Sequence, residues 1–555
     1  MKYKKFEKIE LADRKWPQNE IQKAPIWCSV DLRDGNQALV NPMSLEKKII
    51  FFNLLLELGF KEIEIGFPSA SETEYRFCRH LIENEMIPED VTIGILTQAR
   101  EHLIKRSAEA LQGAKNVIVH LYNSTSTLQR EVVFEKSQDE IVKMALKGVD
   151  WIKEYFGKFG GLVTLEYSPE SFTQTELDFA ARICNEVTNR WNPKEGEKVI
   201  INLPSTVEVA TPNIYADQIE WMCRNLEKRE EIVVSVHTHN DRGTAVASTE
   251  LALMAGADRV EGTLLGNGER TGNVDIVTLA LNMFTQGVDP KLKLDNIDRI
   301  VEVAEYCNEI KTHPRHPYVG ELVYTAFSGS HQDAIKKGMQ KQKHMSCWSV
   351  PYLPIDPKDV GRDYKSIVRV NSQSGKGGVA FLLSERFGFD IPKEMMPYVA
   401  EVMQKESESK EGVLSEEEIY ALFFDNFLNI DEPLRLTDLK VAILGKKIEV
   451  SAKIDIADEI FKMKIVSSGI IEAISEMVKD SGVEFEIESY FEHSLSKGSD
   501  AKAVSYIGIK MDERLFFGVG LAENITYSSV NALISAINIG LSAKKDSLKS
   551  LRVYA

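Results

Sequence analysis

Read for the spacing of its apolar and polar positions, the first half of the chain alternates two patterns. Short β-branched runs at 26–32, 62–66, 91–96, 116–121, 162–167, 199–203, 232–239 and 259–264 are separated by stretches, such as 45–58 and 244–255, with the apolar spacing of amphipathic helices. Strands alternating with helices predict a parallel sheet, and eight such units predict a closed (β/α)8 TIM barrel. From Leu434 the pattern becomes strand, strand, strand, helix, twice over: 434–444, 447–456, 460–467 and 470–480, then 483–493, 501–511, 515–521 and 528–541. The expected organisation is α/β, with a barrel over 1–290, a mostly helical linker over 291–430 and a C-terminal α+β domain built on a duplicated βββα unit over 431–555.

Bulk composition narrows the chemistry. With 43% hydrophobic and 27% charged residues, the 555-residue chain has the usage of a soluble globular protein of several domains. A net charge of -17 argues against a surface that tracks nucleic acid, and an anionic substrate then needs local cations or a metal. Residues 1–18 hold no apolar signal core, and the apolar run 49–60 is broken by Asn53 and Glu57, so a cytoplasmic protein with no membrane partner is expected. Cys28, Cys78, Cys184, Cys223, Cys307 and Cys347 form no CxxC pair, which predicts reduced thiols and leaves metal binding to His, Asp and Asn.

In a TIM barrel the chemistry gathers where the strands end. Those ends carry Arg33 and Asp34, Glu64, Thr97 and Gln98, His120, Glu166 with Ser168 and Glu170, Asn202 with Thr206, His237 with His239, and Asn267, Glu269 and Asn273. His237 and His239, two apart on a strand, point to the same side and can share one ion. Two histidines in a polar loop are the plain alternative, but Asp34 ends the first strand, only the eighth strand away. Two imidazoles and a carboxylate make a divalent-metal site with positions open to substrate. Arg33 either pairs with a neighbouring acid or stabilises an oxyanion beside the metal. His120 is a core histidine or a ligand-binding one, Glu170 a helix-start acid or a site residue, and Thr206 an N-cap or a site residue. The glycine-rich stretches Gly266–Gly272 and Ser374–Gly378 match neither dinucleotide nor P-loop spacing; they are turns, or loops whose amides approach anionic oxygens.

Four motifs carry a family resemblance: Asp31-Leu-Arg-Asp-Gly-Asn-Gln37, Glu64-Ile-Gly-Phe-Pro-Ser-Ala70, His237-Thr-His-Asn-Asp-Arg-Gly243 and the run from Glu261 through Gly-Asn-Gly-Glu-Arg-Thr-Gly to Asn273. Together they resemble the DRE-TIM metallolyases. Residues 31–43 and Pro351-Tyr-Leu-Pro-Ile-Asp-Pro-Lys-Asp-Val-Gly-Arg362 are similar to the long bacterial 2-isopropylmalate synthase family. The resemblance implies a metal-dependent acyltransferase that condenses acetyl-CoA with 3-methyl-2-oxobutanoate and opens leucine synthesis. Citramalate and homocitrate synthases of the same superfamily are the alternative.

The resemblance also implies a site. Asp34, His237, His239 and Asn273 hold a divalent ion (Mg2+, Mn2+ or Zn2+), with K+ a possible activator. Arg33 stands over the reacting oxygen. His120, Ser168, Asn202 and Thr206 bind the 2-oxo acid, with Leu96 and Tyr122 around its isopropyl group. Glu170, or the pair His331 and Tyr352 supplied by the linker across a homodimer, provides the base. Leucine is the implied effector, bound to the duplicated domain. There the chain departs from the family: Ser467-Ser-Gly-Ile-Ile-Glu472 replaces a Gly-x-Gly-Pro turn, so an altered leucine-contacting loop and a changed strength of inhibition are expected, while the second copy, Gly518-Val-Gly-Leu-Ala-Glu-Asn524, stays closer.

Overall fold

The chain was described from a computed structural model covering residues 2, 5–6, 8–326, 328–362, 376–410, 414–456, 459–495 and 502–553. It forms two compact units, Met1–Val323 with Pro357–Arg362, and Tyr324–Asp356 with Asp363–Ala555.

The first unit is the expected barrel. Strands β1 (Ile26–Ser29), β2 (Glu62–Gly66), β3 (Thr92–Gln98), β4 (Asn116–Ser124), β5 (Leu162–Glu170), β6 (Val199–Ser205), β7 (Ile232–Thr238) and β8 (Arg259–Gly262) pair in parallel in chain order, and β1 closes on β8. Between and after them run α1 (Leu45–Leu58), α2 (Glu72–Glu83), α3 (Glu101–Leu111), α4 (Gln138–Phe156), α5 (Leu177–Trp191), α6 (Pro212–Asn225), α7 (Ala245–Met254) and α8 (Ile276–Thr285), with α9 (Ile297–Asn308) against α1. Local chemistry sets the helix ends: the Ser44 hydroxyl accepts the Lys47 N–H at the start of α1, and Gly59, at φ +94°, ends it in the left-handed conformation.

Strand alternation separates two layers. Ile63, Ile65, Val117, Val119, Leu121, Ile201, Leu203, Val234, Val236 and Val260 are buried on the helix side. The barrel interior is unusually polar. Arg259, 1% exposed, donates through Nη1 to Glu166 (3.0 Å), Ser235 (2.8 Å) and Glu261 (2.8 Å), and through Nε to Glu62 (2.6 Å). Burying these charges is tolerable only because each is paired; removing one partner of such a cluster costs about 3–5 kcal/mol.

The first strand is shorter than its apolar run. It stops at Ser29, and 31–35 form a wide turn in which Val30 O accepts from Arg33 N (3.2 Å) and Gly35 N (3.1 Å). Asp31 drives this, because its carboxylate takes the Leu264 N–H (3.0 Å) and the Ser29 hydroxyl (2.8 Å). Buried Lys48 holds the Leu32 carbonyl from behind (2.9 Å). In a continuing strand Arg33 and Asp34 would face opposite sides; the turn lets both face the mouth.

The second unit contains α10 (Gly329–Gln342), α11 (Lys376–Phe387), α12 (Met396–Ser409), α13 (Glu416–Phe427) and the two expected βββα passes. The first pass is β9 (Leu434–Leu444), β10 (Lys447–Ile456), β11 (Glu459–Ser467) and α14 (Ile470–Asp480); the second is β12 (Glu486–Ser494), β13 (Ala503–Met511), β14 (Arg514–Ala522) and α15 (Ile525–Val553). Each forms a three-stranded antiparallel sheet. Alternation along β13 divides two cores: Val504 and Tyr506 pack with α11–α13, whereas Ile507, Ile509 and Met511 pack with α14, α15 and the first sheet. Of the Ser374–Gly378 stretch, residues 374 and 375 lie outside the described residues and Lys376 opens α11.

Candidate active site

The eight strand ends converge on a pocket of about 300 Å3. It is lined by Arg33, Asp34, Leu96, His120, Tyr122, Ser168, Glu170, Asn202, Thr206, His237, His239 and Glu269, all expected from the sequence, together with Gln37, Pro204 and Arg270.

At its floor His237 Nε2 and His239 Nε2 face each other at 3.3 Å, and each lies 3.9 Å from Asp34 Oδ2. These three nitrogen and oxygen atoms surround one point, the donor set of a divalent-cation site. Burial and the neighbouring His237 push the His239 imidazolium down to about 4, so the ring is a neutral donor at neutral pH. Burial raises the Asp34 carboxyl, but Arg33 and the two histidines outweigh it and bring it to about 2, leaving a carboxylate. One buried atom here, Asn273 Oδ1, has no hydrogen-bond partner among the described residues, which is costly without a ligand. The donor set therefore fits a resident divalent ion.

Asn273 reaches this point because the chain after β8 folds back beside β7: Val274 N donates to Thr238 O (2.8 Å) and Asn273 pairs across from His239. Its Nδ2 donates to Asp34 Oδ2 (2.7 Å) and to Asn267 O (3.0 Å). The glycines of the 266–272 stretch make this fold-back. A side chain on Gly268 would lie 2.1 Å from Asn273 Nδ2, and one on Gly272, at φ +94°, 1.8 Å from Gly266 O. Of the two readings of that stretch, the close turn accounts for the geometry.

Arg33 pairs with two neighbouring acids and also stands in the pocket. Its Nε and Nη2 grip Glu64 (3.1 Å each) while Nη1 reaches Asp34 Oδ1 (2.7 Å), and the guanidinium lines the pocket. His120 belongs to the pocket rather than the apolar core: its Nε2 contacts Ser168 Oγ at 2.7 Å. Asn202 Nδ2 donates to the same Ser168 Oγ (3.0 Å) and to Glu261 Oε2 (3.1 Å). Glu170 ends β5, where it accepts from the Ser124 hydroxyl, and Thr206 Oγ1 accepts the Ser171 N–H (2.8 Å) instead of capping a helix. Tyr122 O–H accepts from Gln98 Nε2 (2.8 Å), and burial raises its phenol.

Under the pocket three carboxylates share two guanidiniums. Burial and the charge of Glu261 lift Glu166 well above the usual range despite Arg259. Burial opposes ionisation of Glu64 and Glu261 too, but Arg33 and His120 keep the first low, and Arg259 with the His237 bond keeps the second low.

His331 and Tyr352 lie in the second unit, where their rings stack with centroids 4.0 Å apart and Tyr352 is exposed with φ +64°. Sequence reasoning missed Gln37, Pro204 and Arg270, and it gave Arg259 and Glu261 no role. The last two carried a readable signal, opposite charges two apart on a barrel strand. Arg270 carried none, since it arrives through a loop that Asp241 (2.7 Å) and the Thr206 carbonyl (2.5 Å) fix in place.

Comparison with known families finds three matches along the chain. A family described as HMGL-like matches residues 24–304, alpha-isopropylmalate synthase, post-catalytic domain-like matches 321–384, and the LeuA allosteric (dimerisation) domain matches 413–541. Among curated proteins, 2-isopropylmalate synthases from Clostridium acetobutylicum (52% identical, covering 97% of this chain and 98% of the relative), Acetoanaerobium sticklandii (53%, 97% and 96%) and Rhodospirillum rubrum (51%, 97% and 98%) align nearly end to end.

Proposed function

The chain belongs to the 2-isopropylmalate synthase family, and from that premise we propose that it joins acetyl-CoA to 3-methyl-2-oxobutanoate and water, giving 2-isopropylmalate and CoA. The observation that carries this reading is the convergence of Asp34, His237 and His239 beside Arg33 in a pocket that also presents Leu96 and Tyr122. Those last two supply the apolar surface that a branched 2-oxo acid needs.

A divalent ion (Mg2+, Mn2+ or Zn2+) held by Asp34, His237, His239 and Asn273 supplies Lewis-acid polarisation of the ketone. The remaining work falls to the chain itself. His120, Ser168, Asn202 and Thr206 hold the 2-oxo acid and fix which carbonyl face is open. Glu170, or His331 with Tyr352 acting in the partner subunit's barrel, removes a methyl proton from acetyl-CoA; a base in hydrogen-bond reach contributes about 10²–10⁴-fold. The carbanion-like methyl carbon then bonds to the ketone carbon, and Arg33 stabilises the oxygen on which charge develops. Water cleaves the thioester and CoA leaves. In this reading the chain works as a homodimer in three segments, barrel 1–290, linker 291–430 and a leucine-binding domain 431–555 whose occupancy is coupled to the barrel.

The test is CoA release with 3-methyl-2-oxobutanoate, pyruvate and 2-oxoglutarate, each with and without leucine. Highest kcat/KM with the first and suppression by leucine are expected. Preference for pyruvate or 2-oxoglutarate would move the chain to the citramalate or homocitrate synthases, a reading that relatives aligned over their full length disfavour.

A further inference from the structure

We infer that Glu261 is a positioning residue which locks His237 into its metal-binding tautomer and ties that ligand to the 2-oxo acid half of the pocket. Glu261 is fully buried near the end of β8. Its Oε2 lies 2.9 Å from His237 Nδ1 and also accepts from Asn202 Nδ2 at 3.1 Å, while Oε1 accepts from Arg259 Nη1 at 2.8 Å. A carboxylate has no proton to give, so the His237 proton sits on Nδ1 and the Nε2 lone pair faces His239 and Asp34.

His239 is different. Its Nδ1 has no partner among the described residues, so no carboxylate sets its tautomer. The two imidazoles are therefore unequal in how their protons are placed. Because Asn202 also donates to Ser168 Oγ, which contacts His120, one carboxylate anchors both the metal ligand and the residues beside the substrate.

Glutamine at 261 is isosteric but cannot serve all three donors. If its amide oxygen stays on Arg259, its NH2 meets the N–H groups of His237 and Asn202. His237 must then move its proton to Nε2, which removes the lone pair a metal needs, or lose the contact. If the amide turns around, NH2 meets the Arg259 donor instead. Glu166→Gln changes the same Arg259 cluster without touching His237 and serves as the control.

The inference rests on the metal reading of the pocket, so the test separates the two. Metal-free protein labelled with 15N histidine reports the His237 tautomer directly, and calorimetric titration with Mn2+ reports affinity. Expected are an Nδ1–H tautomer in the native chain and Mn2+ bound roughly 10- to 100-fold more weakly by Glu261→Gln, with the Mn2+ affinity of Glu166→Gln unchanged. A native Nε2–H tautomer, Mn2+ affinity of Glu261→Gln within twofold of native, or an equal loss in the control would overturn it. If Glu261→Gln does not fold, the native tautomer decides. Native protein that binds no Mn2+ would instead sink the metal reading, whatever the tautomer.

Discussion

Polar residues are used in opposite ways in the barrel and in the duplicated C-terminal sheets. Inside the barrel, Arg33, Asp34, Glu64, His120, Glu166, Arg259 and Glu261 are nearly or fully buried and bonded to one another, so each fixes the charge and orientation of the next. Among the described residues of the second unit charged side chains lie on the surface, and the tight fits are backbone against backbone: a side chain on Gly520 would lie 1.8 Å from Ser528 O, and one on Gly518 2.2 Å from Ala536 N. The two sheets of that unit differ as well. β13 is buried along nearly its whole length, whereas β9 exposes most of its residues. Chemistry needs preorganised charge shielded from water; the second unit instead presses α15 onto its sheet, and its tolerance of change is set by space.

If that contrast holds, changes in the mouth alter turnover and spare the fold, and changes in the sheets do the reverse. The largest expected effect is that of Asp34→Ala. Losing a Lewis acid worth several kcal/mol should lower kcat on the order of 10³-fold, with the melting temperature shifted by only a few degrees. Glu170→Gln should lower kcat by about 10²-fold or more while KM for the 2-oxo acid moves little. Leu96→Ala should cut kcat/KM for 3-methyl-2-oxobutanoate by roughly tenfold while that for pyruvate changes less, because about 1–3 kcal/mol attaches to small apolar groups in such pockets.

Gly520→Ala is the converse. It should destabilise the second unit by about 1–3 kcal/mol through overpacking and weaken leucine inhibition, with turnover in the absence of leucine retained. The smallest effect is the pH response of metal-free protein. His239 falls from 6.5 to about 4 on folding, so its neutral form adds stability that is full above pH 6.5 and is lost as pH drops towards 4. Thermal melting across that window should show a decline that His239→Gln lacks.

Much of this was legible because two periodicities are strong. Spacing of two and of three to four residues marked all eight barrel strands and both βββα passes, strand ends then named ten of the residues that line the pocket, and the family resemblance added Leu96 and Tyr122. What spacing could not show was where a strand stops short. The 26–32 run reads as one strand, yet the Asp31 carboxylate pulls the chain into a turn at Ser29, and this alone brings Arg33 and Asp34 to the same side. Arg270 arrives by tertiary fold-back and leaves no periodic trace. At the first C-terminal helix the missing Gly-x-Gly-Pro turn has a visible substitute: Glu472 accepts from Ser467 Oγ (2.6 Å), Ser468 N (3.2 Å) and Ser468 Oγ, closing the helix start with a carboxylate. Glu472→Ala should therefore shift the leucine dose–response curve relative to native protein.

The central claim is the position of one ion. Anomalous scattering at the manganese edge from crystals grown with Mn2+ should show one strong peak per barrel, about 2.0–2.3 Å from Asp34 Oδ2 and from both His237 and His239 Nε2. The nearby buried cluster of Glu64, His120 and Glu261 offers the alternative. A peak there, or none within coordinating reach of Asp34 and the two histidines, would contradict the account.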